Sequence, residues 1–417
     1  MSYVNPFNSK SSTTVEEPRK AKIASEAAAY GSLALVSTHN GDELAGQDDS
    51  EYEFNHLKPS FPKVNWPPLE EFDHVDVGLS APSLGKSKKE NLILKKASGH
   101  KFLTPALGIE LRGLDLPSLT DEEKNDFALL AAQVGVVVVR GQKDLTVDQQ
   151  LNFGRYFGRL HKHATTAVPK SGDLDEIHLV YADKNSRPDN TVFKKVELYH
   201  SDVTYELQPP GLTSLRLVAQ PEVGGDTIFS SGLAAYSSFS KGFQAYLETL
   251  FAVHSGVAQA KGSEAAGNHV RRDPVETIHP IVRVHPVTGQ KSIFVNPGFT
   301  RRIVGVPKSE SDAILGLLYD TFVSSADHQV RASWEEGTVV FWDNRLVNHS
   351  ALFDFFPARR HGVRVTPHGE RPLSVAQYEE KYNAKAKDWA EERAKELGVD
   401  VSQKKDVGGV KERGFKD

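Results

Sequence analysis

The chain of 417 residues contains no cysteine, and its single methionine is Met1. Disulfides, thiolate metal sites and cysteine nucleophiles are therefore excluded. An average chain of this length carries several of each sulfur residue. Three explanations fit the shortage: compositional drift, a site whose chemistry would oxidise nearby sulfur, or synthesis of the protein during sulfur scarcity. No apolar run reaches the length needed to span a bilayer. A basic excess is also missing, since 50 Lys and Arg face 55 Asp and Glu for a net charge of −5. That balance argues against a general binder of nucleic acid or membrane surfaces. Met1 to Lys10 show no charged segment followed by an apolar core. The closing Gly414-Phe415-Lys416-Asp417 is not a peroxisomal address, so a cytoplasmic protein is expected.

With 39% hydrophobic and 25% charged residues, the composition is that of a globular protein with polar ends. The length suits one large domain with appendages or two modest domains. Residues 1–50 are rich in Ser, Thr, Ala, Glu, Gly and Asn and are expected to be disordered. Residues 51–98 carry Pro59, Pro62, Pro67, Pro68 and Pro82 between aromatics, which predicts an extended arm lying on a surface. Organised structure is expected over 99–372. Thr120 and Glu123 form a capping box opening a helix with Phe127, Leu130 and Ala131 on its apolar face and Gly135 at its end. Val136–Val139 reads as a fully buried strand. Thr146 and Gln149 form a second box. Short β-prone runs follow at 212–219, 227–230, 278–284, 292–295 and 338–342, with helical inserts near 233–252 and 309–324. This pattern predicts an α+β protein with a double-stranded β-helix (jelly-roll) core and flanking helices. In 373–417 a third capping box, Ser374 with Gln377, predicts a helix carrying Tyr378, Tyr382, Trp389 and Leu397 to a stop at Gly398. This helix is expected to dock on the domain or on a second subunit, with a loose tail after it.

The chemistry-bearing residues lie in two stretches, Tyr199–Thr204 and Asn344–His349. With 16 histidines and 55 acidic residues, about two His-x-acid pairs arise by chance, so each needs a structural context. Three occur: His74-Val75-Asp76, His200-Ser201-Asp202 and His368-Gly369-Glu370. The first lies in the Pro-rich arm and the third follows the last predicted strand. On a strand, His200 and Asp202 would project to one side, and His349 can join them from a distant strand. Two imidazoles and one carboxylate occupy one face of an octahedron and leave positions open, as suits iron(II). Arg360, eleven residues after His349, offers a permanent cation for a dicarboxylate beside the metal. Satisfied core or surface roles are expected for His161, His178, His254, His279 and His285.

Taken together, Gly154–His163 (GRYFGRLHKH), His200–Thr204 (HSDVT), Gly224–Thr227 (GGDT), His285–Gly298 (HPVTGQKSIFVNPG) and Phe341–His349 (FWDNRLVNH) resemble the iron(II)/2-oxoglutarate-dependent dioxygenases of the taurine dioxygenase family. Within that family the chain resembles the fungal sulfonate dioxygenases. The resemblance implies Fe(II) held by His200, Asp202 and His349, with 2-oxoglutarate and O2 as cosubstrates. It implies that Thr227 and Arg360 bind the far carboxylate of 2-oxoglutarate, and that Arg364 and His163 bind the substrate anion. Thr166 and Val196 stand where the taurine pattern has a tyrosine and an asparagine, and the second change removes an amine contact. The implied reaction is hydroxylation of a sulfonate at the carbon bearing sulfur, releasing sulfite and an aldehyde. Alkyl sulfates or another small anion are alternative substrates, and a non-catalytic jelly-roll binding protein is a reading of another class.

Overall fold

The computed structural model describes residues 49–184 and 195–399. Nearly all of the segment expected to be disordered, 1–50, and most of the expected loose tail lie outside the described residues.

Ten strands form two sheets, numbered β1 to β10 in chain order. The larger sheet holds β1 (Gly99–Phe102), β2 (Ile109–Arg112), β3 (Val136–Val139), β4 (Ile177–Ala182), β5 (Leu212–Ala219), β8 (Val339–Asp343) and β10 (Arg360–Val365). The smaller holds β6 (Thr227–Ser231), β7 (Gln329–Ala332) and β9 (Val347–Ala351). Their spatial orders are β1-β2-β3-β8-β5-β10-β4 and β7-β6-β9. All neighbours are antiparallel except β2 and β3.

Why β3 reads Val-Val-Val-Val without alternation follows from what covers the large sheet. Val137, Val139, Val339 and Phe341 point to one face. There they meet helix α1 (Asp121–Val134) and helix α2 (Val147–Phe157), both opened by the expected capping boxes. Phe127, Phe153 and Phe341 pack edge-on, with centroids 4.8 to 5.7 Å apart, each contributing on the order of 2 kcal/mol by burial. Val136, Val138, Val340 and Trp342 point to the other face and pack on Phe229, Val330 and Val347 of the smaller sheet. Both faces are therefore buried, which explains the unbroken apolar run. Gly135, at φ 72, turns the chain directly from α1 into β3 in a conformation that side chains other than glycine's resist.

Several expectations need correction. The run 278–284 is two strands in different sheets, Glu276–Pro280 and Val282–Val284. The insert at 233–252 is two short helices, Gly232–Ser238 and Lys241–Leu247, followed by the strand Phe251–Ser255. The first ends with Phe239 as its C-cap in an extended conformation, and the Ser240 side chain caps the second. The tail is likewise two helices, Val375–Tyr382 and Trp389–Glu396, separated at Asn383, which adopts a left-handed conformation, and restarted by the Asp388 cap. A single stripe therefore does not exist: Tyr378 is buried while Leu397 is 64% exposed. The second helix docks on this chain, with Asp388 accepting from Ser237 and Lys241, and Arg393 donating to the Pro105 carbonyl. Among the described residues no helix is long and apolar enough to cross a membrane.

Candidate active site

The two chemistry-bearing stretches are hydrogen-bonded to each other. His200 and His349 form an antiparallel bridge, each backbone N–H donating to the other's carbonyl at 3.0 and 2.7 Å. Ser201 Oγ donates to the Val347 carbonyl at 2.7 Å, and Asn344 Oδ1 accepts from the Asp202 N–H at 3.1 Å. Asn344 in turn donates to Thr213 Oγ1 at 2.7 Å. The stretch after β8 is thus the mould in which the His200 segment sits. Contrary to the expectation of a strand, His200 and Asp202 lie on no regular strand; the chain turns at once, and Val203 takes φ 38, a left-handed conformation uncommon for a β-branched residue and typical of constrained functional sites.

The ligand atoms of His200, Asp202 and His349 all lie within 4.8 Å of one another. Asp202 Oδ1 is 3.7 Å from His200 Nε2 and 3.8 Å from His349 Nε2. The donor set fits a metal ion on three counts. His200 Nδ1 donates to the Leu198 carbonyl at 2.9 Å, which fixes the tautomer and leaves the Nε2 lone pair free. His349 Nε2 and Asp202 Oδ2 are buried with no protein partner, a costly state that a cation relieves. Burial holds both imidazoles below their ordinary pKa, so they are neutral and able to ligate.

Arg360 and Arg364 share one face of β10, about 13 Å apart along the strand, and both line the cavity beside the three ligands. Arg360 Nε donates to the Gly225 carbonyl at 2.9 Å, and Nη2 lies 3.4 Å from Thr227 Oγ1. A side chain at Gly225 would come within 3.3 Å of Arg360 Cδ, so the close approach needs glycine. Burial and the neighbouring Arg364 lower the Arg360 pKa to about 10, leaving a poorly compensated cation that suits an incoming carboxylate. Arg364 Nη1 donates to Asp202 Oδ1 at 2.5 Å.

A cavity of about 240 Å³ opens over this group. His163 lies on its wall, and its Nδ1 accepts from the Thr165 N–H at 3.2 Å. Burial and nearby cations push its pKa well below the ordinary value. It is therefore a neutral imidazole with its proton on Nε2, able to donate to an anion. Thr166 also lines the cavity, and its buried hydroxyl lacks a partner. Val196 does not line it. His178, expected to be an ordinary core or surface histidine, faces the cavity with its ring 4.9 Å from His163. It pairs across the sheet with Arg364, a register invisible in the sequence. His161, His254, His279 and His285 are buried, bonded to Glu206, Thr204, the Glu206 carbonyl and Asp343. Of the other His-x-acid pairs, Asp76 and Glu370 both bind Arg345.

Residues 100–366 match the profile of the "Taurine catabolism dioxygenase TauD, TfdA family". The chain belongs to this family. The TauD/TfdA match takes in His163, His178, His200, Asp202, Thr227, His349, Arg360 and Arg364. An alpha-ketoglutarate-dependent sulfonate dioxygenase of Saccharomyces cerevisiae is 41% identical over 325 residues, 75% of this chain and 76% of that protein. An alkylsulfatase of Acinetobacter baylyi is 32% identical over 280 residues, 64% of this chain and 84% of its own length. The crystal structure of a taurine dioxygenase from Burkholderia xenovorans superposes with a TM-score of 0.56 at 31% identity, covering 67% of this chain and 93% of that one. As a TauD/TfdA dioxygenase the chain is an oxidoreductase that uses iron(II) and 2-oxoglutarate.

Proposed function

We propose that the chain hydroxylates a sulfonate at the carbon bearing sulfur, so that the C–S bond breaks and sulfite and an aldehyde are released. The observation that carries this is a pair of buried arginines on one face of β10 that line one cavity with a triad able to hold a metal. Bound iron(II), with 2-oxoglutarate and O2, supplies the oxidising chemistry that turns C–H into C–OH while 2-oxoglutarate leaves as succinate and carbon dioxide. His200, Asp202 and His349 would hold the metal. Arg360 and Thr227 anchor the far carboxylate of 2-oxoglutarate. Arg364 and the Nε2 proton of His163 fix the sulfonate, so that a single C–H bond is presented to the metal. The two facing sheets, with site residues contributed by β9 and β6 on one side and β10 on the other, support a jelly-roll core within residues 99–372. The proposed setting is cytoplasmic, with a role in sulfur assimilation.

Sulfite release from a panel of alkylsulfonates, dependent on iron(II) and 2-oxoglutarate, tests the reading. An alkyl sulfate is the second reading, favoured by the similarity to an alkylsulfatase. Release of sulfate from alkyl sulfates, with no sulfite from sulfonates, would establish it instead.

A further inference from the structure

We propose that the N-terminal arm is part of the substrate site: Pro59 and Phe61 wall the cavity and favour an anion with an apolar, uncharged body over one carrying an ammonium group. The inference rests on the reading of this cavity as an organic-anion site. Both residues line it, and both precede the region 100–366 that matches the family.

The arm is fixed on the domain, not laid loosely over it. Pro59–Ser60 pairs with Val168–Pro169, and the Lys170 N–H donates to the Lys58 carbonyl at 3.0 Å. His361, next to Arg360 on β10, donates from Nε2 to the Leu57 carbonyl at 3.1 Å and accepts at Nδ1 from Tyr52 at 2.9 Å. Further along, Trp66 stacks under the guanidinium of Arg271, 4.9 Å from its ring centroid. Arg271 donates to the carbonyls of His163 and Thr166, which ties the arm to the wall bearing the proposed anion contacts. Phe61 itself packs against the cluster of Leu179, Val363 and Val365.

The chemistry of the lining selects the body of the ligand. Phe61, Leu179, Phe299, Phe353 and Phe355 offer apolar surface. Among the described lining residues Asp202 is the single carboxylate, and it already faces Arg364 and the metal ligands. A substrate ammonium would be desolvated beside two guanidinium groups with no counter-charge of its own among the described lining residues. Each methylene placed on the apolar wall, in contrast, should tighten binding by up to about fourfold.

The test is calorimetric titration of the full-length protein, loaded with iron(II) and 2-oxoglutarate without oxygen. Propane-1-sulfonate and taurine form the decisive pair, because they differ by a methyl in place of an ammonium. Propane-1-sulfonate should bind at least tenfold more tightly, and affinity should rise from ethane- to hexane-1-sulfonate. Phe61→Ala should weaken hexane-1-sulfonate at least fivefold and leave ethane-1-sulfonate within twofold. Phe61→Leu, which keeps the packing volume, should shift hexane-1-sulfonate less and in the same direction. Equal or tighter binding of taurine, or an unchanged chain-length gradient in both variants, would overturn the proposal. Binding is read without turnover, so absence of sulfite release would refute the sulfonate reaction alone. If only sulfate esters bind, the same ratio between propyl sulfate and 2-aminoethyl hydrogen sulfate, together with the effect of Phe61→Ala on the alkyl sulfate chain-length gradient, decides the proposal. Binding of neither class would refute both.

Discussion

Replacing Arg360 by methionine separates a binding arginine from a structural one. Arg360 is 2% exposed, and its pKa is lowered from 12.5 to about 10 by burial and by Arg364. A shift of that size means the folded, unliganded protein bears a burden of roughly 3 kcal/mol for keeping the cation charged. Its bonds to the Gly225 carbonyl and Thr227 return about 1 kcal/mol each at most. Arg360→Met should therefore leave the unliganded protein as stable as before, or more stable by about 1–2 kcal/mol. With 2-oxoglutarate the sign reverses, because a buried carboxylate would lose its charged partner, a loss of about 2–5 kcal/mol. Affinity for 2-oxoglutarate should fall between roughly 30-fold and several thousandfold. Anaerobic titration of the iron-loaded variant, followed by the absorption of the chelate, measures the second effect, and urea unfolding of the unliganded protein the first. Unchanged 2-oxoglutarate affinity, or a stability loss of several kcal/mol without ligand, would refute the assignment.

Three further outcomes follow from the same geometry. Iron(II) at 100 times its dissociation constant should stabilise the wild type by about 2.7 kcal/mol; in His349→Ala the rise in melting temperature should vanish while the fold persists. Burial lowers the pKa of His279 to about 4 and of His361 and His368 to about 3. The unfolded chain then takes up protons below pH 6.5 that the folded chain refuses, so stability is lost as pH falls. The loss should reach about 4 kcal/mol by pH 5.5 for these three together, and His361→Gln should remove about 1.4 kcal/mol of the total dependence read from urea midpoints across pH 5.5–7.5. Arg345 is buried among Asp343, Asp76 and Glu370. Arg345→Met strands three carboxylates and should destabilise by about 3–5 kcal/mol in urea, with Arg345→Lys intermediate.

The first elements of the domain were legible because their signals are local. Capping boxes at Thr120, Thr146 and Ser374 each satisfy backbone donors three residues away, and a run such as Val136–Val139 reports burial on both faces by composition alone. The tail misled for a local reason of another kind. Its apolar residues keep a helical spacing across Asn383, but the spacing does not record that the chain turns left-handed there and restarts at Asp388.

By itself, the sequence determined which donor types are available: imidazoles, one carboxylate and guanidinium groups in a fixed order, with no thiol to compete. Tertiary structure alone decided how they meet. The bridge between His200 and His349, the pairing of His178 with Arg364, and the contact of Arg364 with Asp202 each join residues more than 140 positions apart. Such contacts depend on sheet register and loop closure, which are set by the whole core and leave no trace in any short window. The same holds for Phe61, whose place on the cavity wall follows from the strand pairing of Pro59–Ser60 with Val168–Pro169. Local composition marked this stretch as an arm; its partner strand set it against the cavity wall.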